Sequence, residues 1–315
     1  MSILFTKIDR LRKEKFQLRT SIITQGSKIV VVKEAQPPSF DHLERLVFNQ
    51  QRLEKKWKQI SFPKILSSSS SSVTYEYLAY PFLASQIEDA LYESDYEKAN
   101  RCVELYLNLF SLLPVAQYNS HFREFSSVFD PKGKYPYTTP ERYLIFSNLD
   151  LNFDNIFFDE SSKSYTVIDS EWCFDFPVPT NYIKFRALID ISLKLQSLIS
   201  INCNKVFPLI SISQNLFIPQ SWFKLFGLSF NSFKEFFEYE KQFQSVVMEI
   251  NSERDFELFE APIHHTNLIT DSIHSQRSID NYDATYASYK QLTDSRLYSI
   301  WSQLKRVKRL AGSRT

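Results

Sequence analysis

Short alternations of apolar and polar residues dominate the first 78 residues of the chain and are typical of β-strands. The run at 16–23 alternates in this way, and the run at 28–33 (KIVVVK) is a second strand rich in β-branched residues. The polar residues at 24–27 (TQGS) between the two runs predict a turn. The pattern therefore predicts a β-hairpin whose second strand ends at a lysine.

This hairpin is followed by a helix and by two more strands. Ser39 comes directly after two prolines and predicts the start of a helix, in which apolar residues recur at helical spacing to about Lys56. Strand-like runs follow at 62–66 and 73–78, and the six serines at 67–72 between them predict a flexible hairpin tip. The predicted order of this region is β-β-α-β-β.

The pattern of apolar residues changes beyond Leu78. Residues 87–116 have mostly helical spacing, and two short strand-like runs then lie close together at 155–158 and 165–168. From about residue 181 onward the spacing is helical again. A small β-rich lobe followed by a larger helical lobe, which carries a β-hairpin, belongs to the α+β class.

We expect three parts in the chain: an N-terminal lobe at 1–78, a helical lobe at 79–260 and a basic helical extension at 261–315. Within the extension, the segment 295–310 has apolar residues at steps of three and four and is basic from Lys305 onward. Such a helix packs against its own protein or lies on an anionic membrane surface, and the sequence leaves both alternatives open.

The amino-acid composition excludes several classes of protein and of site. Hydrophobic residues make up 43% of the chain and charged residues 23%, a balance that supports a substantial core and rules out wholesale disorder, collagen and coiled coil. Only four residues are glycine, where the usual share of roughly 7% would give about 22. The P-loop and the dinucleotide-binding fingerprint need several glycines within a few residues, so the composition argues against both.

The net charge of +1 hides an uneven distribution along the chain. Residues 1–33 hold eight basic and two acidic side chains, and residues 302–315 hold five basic and no acidic ones, so the span between them is acidic. Two basic ends predict surfaces that face anions, with plain solvated charge as the alternative. The acidic remainder argues against nucleic acid as a partner.

Three scattered cysteines without a Cys-x-x-Cys pair are typical of reduced thiols in a cytoplasmic protein. No stretch approaches the roughly 18 uninterrupted apolar residues of a membrane-spanning helix. We therefore expect a cytoplasmic protein, with peripheral contact at the inner membrane face as the alternative that the basic C-terminal segment raises. The sequence leaves the oligomeric state open.

The most informative chemistry lies in the segment 147–158 (SNLDLNFDNIFF). Asp150 is followed five residues later by Asn155 and then by an apolar strand, which is the catalytic-loop spacing of protein kinases. In that arrangement the aspartate accepts the proton of the attacking hydroxyl, and the asparagine oxygen reaches a Mg²⁺ ion. Asp169 follows the next strand, where a second metal-binding carboxylate is expected. Lys33, at the end of a strand and ahead of a helix, matches the lysine that contacts the α- and β-phosphates.

Taken together, VVVK, NLDLNFDNIFF and IDSEW resemble the motifs of the protein-kinase-like phosphotransferases of small molecules, which include aminoglycoside, choline and ethanolamine kinases. The run 168–188 (IDSEWCFDFPVPTNYIKFRAL) is similar to kinase-like modules of bacterial surface-polysaccharide synthesis, and FQLRT at 16–20 and VKEA at 32–35 look like the same modules. The resemblance covers roughly residues 10–190. The chain departs from the family at Asn148, where the family has His, and in the phosphate-covering turn, which lacks the family's glycines.

The resemblance implies a two-lobed protein-kinase-like fold whose lobes meet near residues 78–82, with ATP and Mg²⁺ in the cleft between them. It implies transfer of the γ-phosphoryl group to a hydroxyl of a small molecule or a glycan. The candidate residues are Asp150 as the base, Asn155, Asp169 and Glu171 as metal ligands, and Lys33, Arg19 and Glu44 around the nucleotide.

Several alternatives remain open on the sequence alone. Arg19 either reaches a phosphate or faces solvent, and Glu44 is either the partner of Lys33 or a surface acid. Glu171 is a metal ligand, a partner of one, or part of a salt bridge inside the fold. A pseudokinase or scaffold that partners a glycosyltransferase or methyltransferase has the same motifs. Because Asp169-x-Glu171 is an acidic-x-acidic motif, a metal-dependent glycosyltransferase is the second alternative, although the predicted β-β-α-β-β order lacks its nucleotide-binding βαβ half.

Overall fold

The computed structural model describes residues 2–119, 122–134, 141–196, 198–199, 208–213 and 216–248 of the chain. The predicted extension at 261–315, with its basic segment at 295–310, lies outside the described residues. The predicted boundary at residue 260 lies outside them as well.

The N-terminal lobe is an antiparallel sheet with one long helix on it. Its elements are β1 (Ser2–Ile8), β2 (Leu18–Gln25), β3 (Lys28–Ala35), α1 (Phe40–Lys56), β4 (Ile60–Ser61), β5 (Ile65–Ser68) and β6 (Ser72–Glu76). Five of these strands form one sheet in the order β1-β2-β3-β6-β5, in which every neighbouring pair is antiparallel. The two predicted hairpins and the helix between them are therefore present.

The strand β1 was not predicted, and it moves the first loop of the sheet. It lies at the edge of the sheet, and all seven of its residues are exposed. An edge strand without a buried face carries no clear apolar alternation, which is why the sequence pattern did not reveal it. The loop between the first two strands is consequently 9–17, and the predicted turn at 24–27 joins the second strand to the third.

Helix α1 packs its apolar face against the sheet. Ser39 precedes it as predicted, although the Ser39 hydroxyl bonds to the backbone of Gln36 rather than capping the helix. Leucines at positions 43 and 46 of the helix are 1% exposed. The small core of this lobe consists of Leu18, Ala35, Leu43, Leu46, Val73 and Tyr75.

The C-terminal lobe contains helices and several short strands. Its elements are α2 (Leu83–Tyr92), α3 (Tyr96–Leu109), β7 (Val115–Tyr118), α4 (Arg123–Phe129), β8 (Glu141–Leu144), β9 (Ser147–Asn148), β10 (Ile156–Asp159), β11 (Ser164–Val167), β12 (Cys173–Phe174), β13 (Val178–Pro179), α5 (Thr180–Lys194), β14 (Leu209–Ser213), β15 (Leu216–Pro219), α6 (Gln220–Phe226) and α7 (Phe230–Val247). The predicted hairpin is β10–β11, and it pairs Ile156 with Val167. Many of the phenylalanines are in the large core of this lobe, where Phe125, Phe153 and Phe233 are fully buried.

The two lobes are joined at several points along the chain. Strand β4 pairs in parallel with β11, so a strand of the N-terminal lobe extends the β10–β11 hairpin of the C-terminal lobe into a three-stranded sheet. In the loop between β1 and β2, the Lys13 N–H donates a hydrogen bond of 2.9 Å to the carbonyl oxygen of Val247, at the end of α7. Among the described helices, none has the length and apolarity needed to cross a membrane. The two-lobed α+β fold predicted from the sequence is confirmed.

Truncating the buried face of α1 should cost far more stability than the same truncation on the surface of the lobe. Leu43 is 1% exposed and Leu66 is 47% exposed. Because Leu43→Ala leaves a cavity, we expect a loss of about 2–5 kcal/mol in the free energy of unfolding, against less than about 0.5 kcal/mol for Leu66→Ala. Urea unfolding followed by circular dichroism measures both. Equal losses would contradict the burial of this helix face.

Candidate active site

Lys33 is the cationic centre of a charged cluster between the lobes. Side chains alternate along β3, so Lys33 lies on the same face as Ala35, the face that packs against α1. The Lys33 Nζ lies 2.8 Å from Asp169 Oδ1 and 2.7 Å from Glu171 Oε1. Lys33 is 8% exposed and Glu171 5% exposed. A strand of one lobe is thus bound, through a buried ammonium group, to two carboxylates of the other.

The charges in this cluster support one another. Burial by itself would lower the pKa of Lys33, but Asp169 and Glu171 outweigh it, so the pKa is raised and the ammonium keeps its proton. Burial would likewise raise the pKa of Glu171, but Lys33 and Arg12 hold this carboxyl well below its usual range. Both partners are therefore ionised near neutral pH.

Asn148 joins the loop of the predicted base to the loop of the predicted metal ligand. Its side-chain nitrogen donates to the backbone oxygen of Asp169, at 2.9 Å, and its side-chain oxygen accepts from the Asp150 N–H, also at 2.9 Å. Asn148 stands where the resembling family has His, and here it makes two orienting hydrogen bonds. Asn155 donates to the backbone oxygen of Asp150, and its own backbone oxygen accepts from the Ile168 N–H, both at 2.9 Å.

Asp169 adopts a backbone conformation that few non-glycine residues take. Its φ is +61°, and a non-glycine residue in this region typically carries a strain of about 1–3 kcal/mol. The surrounding contacts hold it there: Asn49 Nδ2 on α1 donates to the backbone oxygen of Ser170 at 2.9 Å, and the Ser170 hydroxyl donates to the backbone oxygen of Leu46. Strain of this kind is commonly retained where a side chain must point into a functional cleft.

The Asp150 carboxyl is 15% exposed, and its pKa is close to neutral pH. Burial first, and then the negative charge of Asp169, raise the pKa of Asp150 to about 7, against the opposing effects of Arg186 and Arg12. A carboxylate with this pKa is suited to accept a proton near neutral pH.

Arg186 on α5 bonds to the loop that carries Asp150. The sequence did not indicate this residue. The Arg186 Nη1 donates to the backbone oxygen of Leu149 at 2.8 Å and lies 3.8 Å from Asp150 Oδ1. Its Nε donates to Glu240 on α7 at 2.8 Å, and Tyr182 donates to the same carboxylate at 2.9 Å. Arg186 lies within the run that resembles polysaccharide-synthesis kinases, but it belongs to none of the three motifs.

Two of the predicted nucleotide-binding residues lie outside this cluster. Arg19 is opposite Glu34 in the β2–β3 register and pairs with it at 3.0 Å, on the sheet face away from Lys33. Glu44 is exposed, because the buried face of α1 begins at His42 and continues through Leu43. The predicted Lys33–Glu44 pair is replaced by the pair between Lys33 and Glu171, so Arg19 and Glu44 are corrected to surface positions.

Arg12 is a second residue that the sequence reasoning missed. It lies in the loop between β1 and β2, and its Nη1 lies 2.5 Å from Glu171 Oε2. Both oxygens of Glu171 are therefore held by cations, Lys33 on one and Arg12 on the other. This places Glu171 in a salt bridge inside the fold, which is one of the three alternatives for it.

Asn155 and Asp169 are candidate ligands of a magnesium ion whose other ligands come from a nucleotide. Within the described part of the chain, no group of three or more His, Cys, Asp or Glu side chains has the arrangement of a self-contained metal site. The Asn155 side-chain nitrogen donates a hydrogen bond to the backbone oxygen of Asp150. Its side-chain oxygen is therefore the atom that could bind a metal ion. Together with the Asp169 carboxylate, it would supply the kind of sparse protein shell that Mg²⁺ uses when phosphates supply other ligands.

Similarity between this chain and known proteins is found in structure rather than in sequence. No protein-family model matches it, and no curated protein matches it. Among solved structures it is similar to the apoenzyme of macrolide 2′-phosphotransferase MphH from Brachybacterium faecium, with 9% identity, 74% of this chain and 81% of that chain covered, and a TM-score of 0.31. It is also similar to the Rv3197–erythromycin complex from Mycobacterium tuberculosis, with 12% identity, 84% and 66% covered, and a TM-score of 0.24. Because both TM-scores are below 0.5, neither similarity supports a conclusion about this chain.

Replacing Asp150 by its neutral isostere should stabilise the protein without ligand above neutral pH. The pKa of Asp150 is about 7 in the folded protein, above the ordinary 3.8. The folded state therefore binds this proton more tightly than the unfolded chain, and stability falls as pH rises from about 4 to about 7. We expect Asp150→Asn to raise the Tm at pH 8 by at least about 2 °C, and by less at pH 5.

The matched control is Asp159→Asn, measured by thermal unfolding in EDTA. Asp159 ends β10 beside the hairpin turn, and hydrogen bonds from Ser161 and Ser162 lower its pKa to about 2. The sign is opposite here, so Asp159→Asn should leave the Tm at pH 8 unchanged or lower it. A Tm of Asp150→Asn below that of the parent protein at pH 8 would contradict the raised pKa of Asp150.

Proposed function

We propose that the chain is a phosphotransferase that uses ATP and Mg²⁺ to phosphorylate a hydroxyl of a small molecule or a glycan. One observation carries the proposal: Asn148 bonds to both the Asp150 loop and the Asp169 loop, while Lys33 binds Asp169 across the cleft. A base, a metal-binding carboxylate and a phosphate-binding ammonium are thereby held in one place by side chains that come from both lobes.

Each residue has a role that its contacts support. Asp150 accepts the proton of the acceptor hydroxyl as the hydroxyl oxygen bonds to the γ-phosphorus and the bond from that phosphorus to the β,γ-bridging oxygen breaks. Lys33 is charged and neutralises nucleotide phosphates. Asn155 and Asp169 would hold Mg²⁺, which, when bound, neutralises charge on the phosphate oxygens. Catalysis of this kind depends on positioning and charge, which suits a site so heavily cross-linked.

The acceptor class is the less constrained part of the proposal. The run at 168–188 resembles kinase-like modules of surface-polysaccharide synthesis, which favours a sugar hydroxyl over other acceptors. Phosphorylation of a panel that contains monosaccharides, glycans and amino alcohols, with the consumption of ATP as readout, distinguishes these classes. Transfer to none of the sugars would remove the polysaccharide role while leaving the phosphotransferase proposal open to the other acceptors.

Binding of nucleotide provides the first test. We expect Mg·ATP to raise the Tm of the parent protein, and Lys33→Met or Asp169→Asn to abolish the shift, because each removes a group that binds phosphate or metal. Lys28→Met is the matched control, since Lys28 is an exposed lysine of the same strand, and it should keep the full shift. The absence of any shift with Mg·ATP would favour a scaffold without kinase chemistry, and a shift with a nucleotide sugar and Mn²⁺ alone would favour a glycosyltransferase.

Loss of the base provides the second test. Asp150→Asn should reduce phosphate transfer by a factor of at least about 10² while Mg·ATP binding stays within about twofold, since general-base assistance is commonly worth 10²–10⁴. Initial rates of ADP formation with the best acceptor measure the first quantity, and titration calorimetry measures the second. Retained turnover in Asp150→Asn would contradict the assignment of the base.

A further inference from the structure

The loop 9–17 lies over the Lys33 cluster and contains no glycine. We propose that it binds the phosphates of the nucleotide through one side chain, the guanidinium of Arg12, rather than through its backbone. The inference rests on the proposed use of ATP and names a residue that the kinase-like motifs do not contain.

The backbone of this loop is already committed to contacts within the protein. The Leu11 N–H donates to Asp9, the Lys13 N–H to Val247, the Phe16 N–H to Lys13 and the Gln17 N–H to Glu14. A glycine-rich loop offers bare N–H groups to phosphates. In the loop 9–17, four of the nine backbone N–H groups already donate to acceptors within the protein. A side chain is therefore better placed than the backbone to donate to phosphates.

The position of Arg12 is fixed from both sides. The Lys13 ammonium donates to the backbone oxygens of Ser245 and Val246 at the end of α7, each at 2.9 Å. Arg12 itself forms an isolated bridge with Met248, and the Gln17 side chain donates to its backbone oxygen at 2.6 Å. The loop is therefore attached to the C-terminal lobe at the residue that carries the guanidinium.

The guanidinium lies where the phosphates would be bound. Arg12 and Lys33 hold the two oxygens of the single Glu171 carboxylate, so the two cations lie side by side. The side chain of Arg12 is 26% exposed, whereas that of Lys33 is 10% exposed. Arg12 is therefore the more accessible of the two cations, and its planar guanidinium can bond to two phosphate oxygens at once, which a lysine cannot match.

Charge determines the direction of the expected effect. Asp150 and Asp169 both act on Arg12 electrostatically, so it belongs to the same acidic cluster as the base and the metal ligand. Without Arg12, Glu171 keeps Lys33 and the nearby His42, whose Nε2 lies 3.6 Å from Glu171 Oε2, and the cluster loses one positive charge. Loss of Arg12 should weaken the binding of ATP, in proportion to the number of phosphates on the ligand.

The test compares the affinities of ATP, ADP and adenosine for the parent protein and for Arg12→Ala, by titration calorimetry with Mg²⁺ present. We expect ATP to bind at least about tenfold more weakly to the variant, because the variant loses a charge-assisted hydrogen bond to phosphate. ADP should lose less, and adenosine should stay within about twofold. Arg12→Gln, which keeps a donor for Glu171, should show the same loss and covers the case in which Arg12→Ala fails to fold.

Arg10→Ala is the matched control, because Arg10 is an exposed arginine of the same loop, and it should leave all three affinities within about twofold. If ATP binds equally well or more tightly without Arg12, or if adenosine loses as much as ATP, the inference is overturned while the proposed function stands. If the parent protein binds adenosine and ATP equally, or binds neither, both the proposed function and the inference about Arg12 fail.

Discussion

The whole arrangement depends on one buried ammonium group. Lys33 belongs to a strand of the N-terminal lobe, and its two carboxylate partners belong to the loop after β11 in the C-terminal lobe. Burying these charges costs hydration free energy that their attraction barely offsets, so such clusters contribute more to position than to stability. Any rearrangement that separates one member from the others leaves an uncompensated buried charge. The cluster therefore holds strand β3, helix α1 and the strained Asp169 in a single geometry.

The scarcity of glycine has a structural consequence at the same place. A loop of bulky residues cannot lie close over phosphates and offer its backbone, and the loop 9–17 instead packs onto the end of α7. Arg12 of this loop completes the charge balance around Glu171. The basic character of residues 1–33, visible in the sequence as a surface that faces anions, is thus partly a property of the cleft: Arg12 and Lys33 are in it, whereas Arg19 faces outward with Glu34.

Sequence reasoning found the parts of the site that spacing and periodicity define. Asn155 and Asp169 flank the apolar hairpin β10–β11, and Asp150 was selected by its spacing from Asn155. Lys33 was selected on its apolar strand, although β3 continues two residues beyond it, to Ala35, and does not end at the lysine as predicted. The structure brings these four residues together. Sequence reasoning could not select Arg12, because Arg12 and Glu171 are 159 residues apart and no periodic pattern links them. The other failures have local causes: the helix phase puts Glu44 outside, strand alternation puts Arg19 on the far face, and β1 has no buried side to reveal it.

In the proposed function, Asn155 and Asp169 hold a divalent ion only together with a nucleotide. Electron paramagnetic resonance of Mn²⁺, used in place of Mg²⁺, measures this directly. We expect one tightly held Mn²⁺ per chain when ATP is present, little without it, and loss of the bound signal in Asp169→Asn. Tight Mn²⁺ binding without nucleotide, or a nucleotide-dependent signal that survives Asp169→Asn, would contradict this proposal.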